Sequence, residues 1–301
     1  MQVMRQLFVS FLWLAMNFST AACVVEQAGG PVFTLGAKTV GDNGIIRYEL
    51  KSPYQSGTPS LRVLLPDKFT DSGRPAKASG QRFLFVLPVE SGDGRQFGDG
   101  LITVKDLNLH NLYGLVVIAP TFSQLPWYAD NPTNPDIRQE THMIKAVVPA
   151  VDELFPSSGP HRLLLGFSKS GWGAVSLLVR HPELFDAAAA WDAPLMIESP
   201  NHYGMDRVFA TQKHFDRYFL PRQLREKSSA LRERKRLALL GYGNFRDQMR
   251  SAHDLLVQLD IPHDYSDGPQ RQHHWNSGWV QEAVKALMEM APPPTAAKSK
   301  E

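Results

Sequence analysis

The chain has 301 residues, of which 43% are hydrophobic, and this is enough to build the core of one large α/β domain. Its 32 lysine and arginine residues nearly balance 30 aspartate and glutamate residues, so the net charge of +2 provides no strong field for nucleic acid or an anionic membrane. With a single cysteine, an intramolecular disulfide is excluded and a cysteine metal cluster is disfavoured. Because the net charge is so small, we expect no nucleic-acid partner.

The N-terminal segment is typical of an export signal. Residues 1–6 carry a basic residue and no acid, residues 7–18 are largely apolar, and residues 19–22 are small residues suited to cleavage. The apolar run is too short to span a bilayer comfortably. We predict a signal peptide over 1–22 and a periplasmic or secreted protein. A lipid anchor on Cys23 is the alternative that would bring the protein to a membrane, although Thr20 stands where lipoprotein signals usually have leucine.

Apolar runs bounded by turn residues predict the strands of one sheet, after a leader over 23–43. Two strands suited to an antiparallel edge are Ile45 to Lys51 and Leu61 to Pro66. Strands buried on both faces are predicted where the apolar run is continuous. These runs are Phe83 to Leu87, Leu115 to Ala119, Leu163 to Leu165, Ala187 to Trp191 and Leu237 to Leu240.

Helices alternate with these strands. Apolar residues at helical spacing predict an amphipathic helix over 136–155 with a kink at Pro149, and further helices over 246–259 and 277–290. This alternation implies a mostly parallel central sheet with helices on both faces, an α/β domain over 44–290 with an antiparallel N-terminal edge. The aromatic segment 196–220 has no clear period and lies where a cap over the sheet could be inserted, and 291–301 is predicted to be a flexible tail.

A strand, a tight turn and a helix start are predicted over Arg162 to Ala174, with Ser168 at the tip of the turn. A strained turn that presents a nucleophilic serine needs small residues two before and two after it, and Gly166 and Ser170 occupy those places. If Ser170 were the nucleophile instead, the indole of Trp172 would fall at a position that requires a small residue. We therefore interpret Ser168 as the nucleophile; an ordinary turn with a capping serine is the alternative.

A serine nucleophile needs a base, because its hydroxyl is hardly ionised at neutral pH. In a fold with this kind of turn, the order along the chain is serine, acid, histidine. His253 lies within a predicted helix and His263 at the start of a predicted short strand over 264–266, so both are interpreted as structural or surface residues. His273 and His274 follow a polar loop and precede the last helix, where the base belongs.

The base needs a carboxylate that holds its tautomer, and two aspartates are candidates. Asp192 directly follows the apolar run that ends at Trp191, so it would project from the carboxyl end of a strand next to the turn. Asp247 follows a later strand, where the acid most often lies, but its spacing from Asn244 suits a helix cap. We prefer Asp192.

Two motifs resemble a known family. Residues 166–174 read G-F-S-K-S-G-W-G-A and are similar to G-x-S-M-G-G-x-G-A of the esterase D-like branch of the α/β-hydrolase superfamily. His273-His274-Trp275 and Trp279 resemble its terminal G-H-x-W-x-x-W; the H-x-W spacing selects His273, whereas the spacing to Trp279 would select His274. The chain departs from the family at Ser170, at Asn244 in the common acid position, and at residues 87–90, where a His-Gly pair is usual.

The resemblance implies a serine esterase that cleaves carboxylic esters through a Ser-His-Asp triad of Ser168, His273 and Asp192 and an acyl-enzyme. The backbone N–H of Lys169 would hold the oxyanion together with that of Val89 or Glu90. The expected substrate is a small ester or an ester linked to a polysaccharide. Activity is expected to rise with pH as the imidazole loses its proton.

Other functions fit parts of the same pattern. A serine peptidase or an acyl transferase would use the same triad, and a non-catalytic exported binding protein would keep the sheet and bind a sugar or lipid. Trp127, Tyr128 and Trp172 are candidates for stacking a sugar, or for packing. We expect no cofactor and no metal, because the sequence has neither a zinc-binding H-E-x-x-H nor a G-x-G-x-x-G or Walker motif.

Overall fold

The computed structural model describes residues 32–69 and 78–291. The predicted signal peptide, Cys23 and residues 292–301 of the predicted tail lie outside these ranges. Within them, no helix combines the length and apolar character needed to cross a membrane.

Most strands of the described residues belong to one nine-stranded sheet, and β4 and β7 form a separate short ladder. The strands are β1 (Thr34–Val40), β2 (Ile46–Lys51), β3 (Ser60–Leu64), β4 (Ala78–Ser79), β5 (Arg82–Val86), β6 (Val116–Pro120), β7 (Ser157–Ser158), β8 (His161–Phe167), β9 (Ala187–Trp191), β10 (Leu237–Tyr242) and β11 (His263–Gln270).

The helices lie mainly between these strands along the chain. They are α1 (Gly100–Asp106), α2 (Leu109–Tyr113), α3 (Gln139–His142), α4 (Val148–Leu154), α5 (Ser168–Arg180), α6 (Asp206–Phe209), α7 (Gln212–Phe215), α8 (Leu220–Arg232), α9 (Arg246–Gln258) and α10 (Val280–Met290), with a π-helical turn Met143–Val147 between α3 and α4.

The large sheet has the strand order β1-β2-β3-β6-β5-β8-β9-β10-β11. The pairs β1–β2, β2–β3 and β3–β6 are antiparallel, and every pair from β6 to β11 is parallel. The predicted mostly parallel sheet with an antiparallel N-terminal edge is confirmed. Strands β5, β8 and β9 are neighbours near its centre, and ligands in such sheets bind at the carboxyl ends of the strands.

The sheet is buried on both faces. In β5, Phe83 and Phe85 belong to one apolar cluster, whereas Leu84 and Val86 belong to a second. The first cluster includes buried residues of α4, α5, α8 and α9, and the second includes those of α1, α2 and α10. Successive side chains of a strand point to opposite faces, so a strand covered on both faces is apolar throughout.

Strand β1 lies within the predicted leader over 23–43 and corrects that prediction for residues 34–40. Residues 34–40 pair with β2, with Leu35 opposite Leu50 and Val40 opposite Ile46. Apart from Leu35, the residues of β1 are exposed. An edge strand that buries neither face has no apolar pattern, so β1 could not be predicted from hydrophobic residues.

The helix predicted over 136–155 is interrupted near the expected position. Pro149 lies in the first turn of α4, immediately after the π-helical turn. Proline has no N–H to donate and its ring clashes with the carbonyl four residues earlier, so a regular helix cannot continue through it.

Glu140 links α3 to the end of α5 through hydrogen bonds. Arg180 donates to both carboxylate oxygens at 2.6 and 3.0 Å, and Nε2 of His181 lies 2.7 Å from Oε1. Burial alone would raise the pKa of Glu140, but the hydrogen bonds of His181 and Arg180 hold it at about 2. These bonds fix one end of the helix whose other end carries Ser168.

Candidate active site

Ser168 stands at a strained turn between β8 and α5. Its φ of +52° lies in the left-handed region, which a residue with a side chain adopts rarely. The turn brings Gly166 so close to the helix that a Cβ there would lie 2.2 Å from the carbonyl oxygen of Ser170. The backbone N–H of Ser168 donates to the carbonyl of Asp192 at 3.1 Å, which ties the turn to the end of β9.

Ser170 has a structural role in this turn. Its side chain is fully buried, and its hydroxyl donates to the carbonyl of Phe167 at 2.9 Å. The hydroxyl oxygen of Ser170 also accepts the N–H of Phe167 at 3.1 Å. A hydroxyl folded back in this way is not available to a substrate. Ser170 thus fits where the resembling motif has glycine, and its burial favours Ser168 over Ser170 as the candidate nucleophile.

His273 and Asp192 are brought together. Nδ1 of His273 lies 2.5 Å from Oδ2 of Asp192, which is fully buried. The carboxylate also accepts the N–H groups of Asn244 at 2.8 Å and Phe245 at 2.6 Å. Burial would raise the pKa of Asp192, but the bond to His273 and these backbone donors lower it below its usual value. Asp192 is therefore held as a carboxylate that can orient the imidazole.

The other acid candidate, Asp247, is exposed in the first turn of α9, whereas the carboxylate that His273 meets is that of Asp192. The loop after β10, where the acid is most often found, contributes backbone donors instead. Asn244, which stands at the usual acid position, donates its N–H to the carboxylate of Asp192, the residue that follows β9.

Aromatic side chains surround the imidazole of His273 edge-on. The ring centroids of Phe167, Phe97 and Phe245 lie 5.0, 5.5 and 5.8 Å from that of His273. Apolar walls of this kind hold the ring in place and reduce the dielectric constant around it. The contribution of Phe97 and Phe245 was not predicted, because both lie in loops without a pattern.

His274 has a different environment. Its Nδ1 accepts the N–H of Asn276 at 3.3 Å, and a Cβ on Gly98 would lie 2.5 Å from its ring. Its carbonyl accepts the indole N–H of Trp279 at 3.0 Å. These contacts hold His274 against the loop after β5, and among the two adjacent histidines the one that meets Asp192 is His273.

The loop after β5 places backbone N–H groups next to the turn. Val89 is buried, and within the described residues the N–H groups of Val89 and Glu90 have no hydrogen-bond acceptor. Lys169 is the second residue of α5, so its N–H has no acceptor within the helix. Free N–H groups at a helix N-terminus and on the neighbouring strand end are the donors that an oxyanion requires.

Tyr128 supports this loop, a role that the sequence did not indicate. Its hydroxyl donates to the carbonyl of Pro88 at 2.6 Å, and a Cβ on Gly173 would lie 2.1 Å from its ring. Gln139 accepts the N–H of Tyr128 at 3.0 Å. Tyr128 thus joins α3, α5 and the loop, and its complete burial, like that of Trp127 and Trp172, excludes stacking against a sugar.

Replacing Tyr128 with phenylalanine is expected to lower kcat for an ester by about tenfold with little change in KM, because the carbonyl of Pro88 loses its donor and the loop loses its position. Tyr218→Phe is the matched control, since the hydroxyl of buried Tyr218 accepts the backbone N–H of Asp130 at 3.1 Å away from the loop. Both variants should be destabilised in a denaturant titration. Equal kcat values would show that Tyr128 only stabilises the fold.

A pocket of about 450 Å³ shares one lining residue with the surroundings of His273. One wall is Phe245, and the opposite wall comes from the aromatic segment 196–220, including Met196, Glu198, His202 and Tyr203. The pocket is joined to the candidate site through Phe245, whose ring centroid lies 5.8 Å from that of His273. Among the described residues, no group of three histidine, aspartate, glutamate or cysteine side chains is arranged to hold a metal ion.

The comparisons with known proteins agree with this architecture. No protein-family model and no curated protein matches the chain. Among solved structures, an S-formylglutathione hydrolase from Agrobacterium tumefaciens superposes with a TM-score of 0.62 at 14% identity, covering 86% of this chain and 100% of that one. The chain has the α/β-hydrolase fold.

Two further structures resemble this chain. The fluorophosphonate-binding serine hydrolase F of Staphylococcus aureus gives a TM-score of 0.63 at 19% identity and covers 86% of this chain and 100% of its own. A ferulic acid esterase gives 0.62 at 18% identity, with 82% and 96% covered. These neighbours agree with the esterase D-like resemblance of the sequence, and at such low identity they establish the fold of the chain.

Proposed function

We propose that this α/β-hydrolase is a serine esterase that cleaves carboxylic esters, with Ser168 as nucleophile, His273 as base and Asp192 as the acid. The observation that carries the proposal is the contact of 2.5 Å between His273 and the buried carboxylate of Asp192, whose backbone carbonyl accepts the N–H of the strained Ser168. A base oriented by a carboxylate beside a serine at a strained turn is the arrangement of nucleophilic acyl transfer.

In the first half of the reaction, Nε2 of His273 takes the proton of the Ser168 hydroxyl as Oγ forms a bond to the ester carbonyl carbon. Asp192 keeps the proton on Nδ1, so that Nε2 is the free base, and stabilises the imidazolium that results. When the bond from the carbonyl carbon to the alcohol oxygen breaks, His273 returns the proton to that oxygen. The products are the free alcohol and an acyl group on Ser168.

In the second half, His273 takes a proton from water and the hydroxide oxygen bonds to the acyl carbon. The bond to Oγ of Ser168 then breaks and the proton returns to that oxygen. In both halves the negative charge on the carbonyl oxygen would be stabilised by the N–H groups of Lys169 and Val89, whose lack of acceptors in the described structure supports this role.

The printed names of the structural neighbours support ester chemistry, since they include an S-formylglutathione hydrolase, a ferulic acid esterase and a fluorophosphonate-binding serine hydrolase. Small esters, free or linked to a polysaccharide, are the substrates proposed here. We also propose export to the periplasm or medium on the strength of the N-terminal sequence pattern, with lipidation of Cys23 as the alternative.

The experiment that tests the function is labelling with a fluorophosphonate probe, followed by mass mapping of the modified peptide. The probe should modify Ser168 in the parent and modify no serine in His273→Ala, because without its base the hydroxyl is not activated. Hydrolysis of p-nitrophenyl acetate by the same sample should accompany labelling. A folded protein with neither labelling nor hydrolysis would favour the non-catalytic binding protein instead.

A further inference from the structure

The side chain of Lys169 lies beside the proposed nucleophile and is only partly exposed. Its Nζ is 5.8 Å from the ring centroid of Phe97, which in turn is 5.5 Å from that of His273. The ammonium group thus lies on the side of the site formed by the loop between β5 and α1. The backbone N–H and the ammonium group of this one residue are both close to where an ester would react.

The ammonium group makes no hydrogen bond and no ion pair with any described residue, apart from its contact with the ring of Phe97. By contrast, Nζ of Lys235 lies 2.5 Å from the carboxylate of Asp264. Burial lowers the pKa of Lys169, and the nearby charge of Glu90 offsets part of this effect. A half-buried cation without a partner has lost part of its hydration, so an anion supplied by a ligand would bind it favourably.

Glu90 is the carboxylate that influences Lys169, but the loop holds it elsewhere. Its Oε2 accepts the N–H of Phe97 at 3.4 Å, and a Cβ on Gly94 would lie 2.9 Å from the Cβ of Glu90. The carboxylate is therefore turned toward its own loop and leaves the ammonium group open to another anion.

The turn itself does not require a charge at this position. The motif that the sequence resembles has methionine there, which is similar in length to lysine and uncharged. Whatever residue stands here supplies the same backbone N–H, so the positive charge of Lys169 is free to serve the substrate.

We propose that the ammonium group of Lys169 binds a carboxylate group of the substrate, so that the enzyme prefers esters that carry an anionic group over neutral esters of the same shape. This inference rests on the proposed esterase function and names the substrate class of that site. A carboxylate accepting from a lysine ammonium forms a charge-assisted hydrogen bond, which is stronger in a partly desolvated site than in water. The carboxylate belongs to either the acyl or the alcohol portion of the ester, and the experiment below distinguishes these two positions.

The test compares kcat/KM for matched pairs of esters. The acyl pair is the p-nitrophenyl monoester of glutarate against p-nitrophenyl valerate, and the alcohol pair is 4-acetoxybenzoate against 4-acetoxybenzamide. In at least one pair the parent should favour the anionic member, and Lys169→Met should lower that anionic-to-neutral ratio by about tenfold. The pair that responds identifies the portion of the ester that carries the carboxylate.

Two controls separate the local charge from general effects. Lys169→Arg keeps a cation and should retain most of the ratio. Lys227→Met removes the same charge from an exposed position on α8 and should leave the ratio unchanged. In the parent, the ratio should also fall as salt is added, because screening weakens attraction between charges; this measurement does not depend on the folding of a variant.

The outcomes distinguish the two proposals. If Lys169→Met keeps the parental ratio in both pairs, or if salt has no effect on the parent, the inference is wrong while the esterase proposal stands. If the folded parent hydrolyses neither neutral nor anionic esters, the esterase proposal is wrong and the inference falls with it.

Discussion

Replacing Ser168 with alanine is expected to lower kcat for p-nitrophenyl acetate by about 10⁴- to 10⁶-fold, because the variant has no oxygen to form the acyl-enzyme. The fold should persist, since the hydroxyl of Ser168 makes no hydrogen bond with another described residue and its backbone N–H still donates to Asp192. Steady-state rates and a thermal melt of the same sample measure the two effects separately.

Ser170→Ala is the matched control for this prediction. It removes the hydroxyl that closes the turn on Phe167, so unfolding should become easier by about 1–3 kcal/mol while the nucleophile is retained. The loss of rate should be far smaller than for Ser168→Ala. A variant lacking Ser168 that still turns over the ester, or a Ser170 variant as inactive as the Ser168 variant, would show that the nucleophile is assigned wrongly.

The buried strands of the sheet could be predicted because their environment fixes their composition. A strand covered by helices on both faces must be apolar at every position, and the run of alanines from Ala187 to Trp191 coincides with β9. Strand β1 has no such constraint, since it is exposed and its stability comes from backbone pairing with β2. The same reasoning explains why β11 extends to Gln270, beyond its predicted end at Ser266: its residues are not fully buried.

The candidate site was predictable where chain order and strand ends limit the choice. Asp192 follows β9 and Ser168 follows β8, so the neighbouring positions of these strands place both residues at one edge of the sheet. The choice between His273 and His274 was left open by motif spacing, because adjacent residues differ in direction and only packing decides which one meets the acid. In the structure the ring of His274 packs against Gly98, and His273 is the histidine that contacts Asp192.

Residues that position the site from a distance left no signal in the sequence. Tyr128 reaches the loop after β5 through a single hydrogen bond to a backbone carbonyl, and any residue could supply that carbonyl. Likewise, Asn244 acts through its N–H, so its identity as a non-acid does not reveal that its backbone binds Asp192. Contacts made by the main chain are set by the path of the loop and not by residue type.

Replacing Asp192 with asparagine is expected to lower kcat by about 10⁴-fold, because the amide no longer fixes the tautomer of His273 or stabilises its imidazolium. The carboxylate accepts hydrogen bonds from His273 and two backbone N–H groups in a fully buried place. Both oxygens of the carboxylate accept hydrogen bonds, whereas an amide has only one oxygen. The folded state of the variant should therefore also be less stable. Steady-state kinetics and a denaturant titration measure these effects.

Asp247→Asn is the matched control, since Asp247 is exposed in the first turn of α9, whereas the carboxylate that His273 meets is that of Asp192. It should keep the parental kcat. The lowered pKa of Asp192 keeps it ionised throughout the neutral range, so parental activity should not fall through protonation of this carboxylate at neutral pH. If Asp247→Asn were instead the inactive variant, the acid would be the one in the usual position, and the hydrogen bonds that Asp192 accepts would serve only to join β9 to the loop after β10.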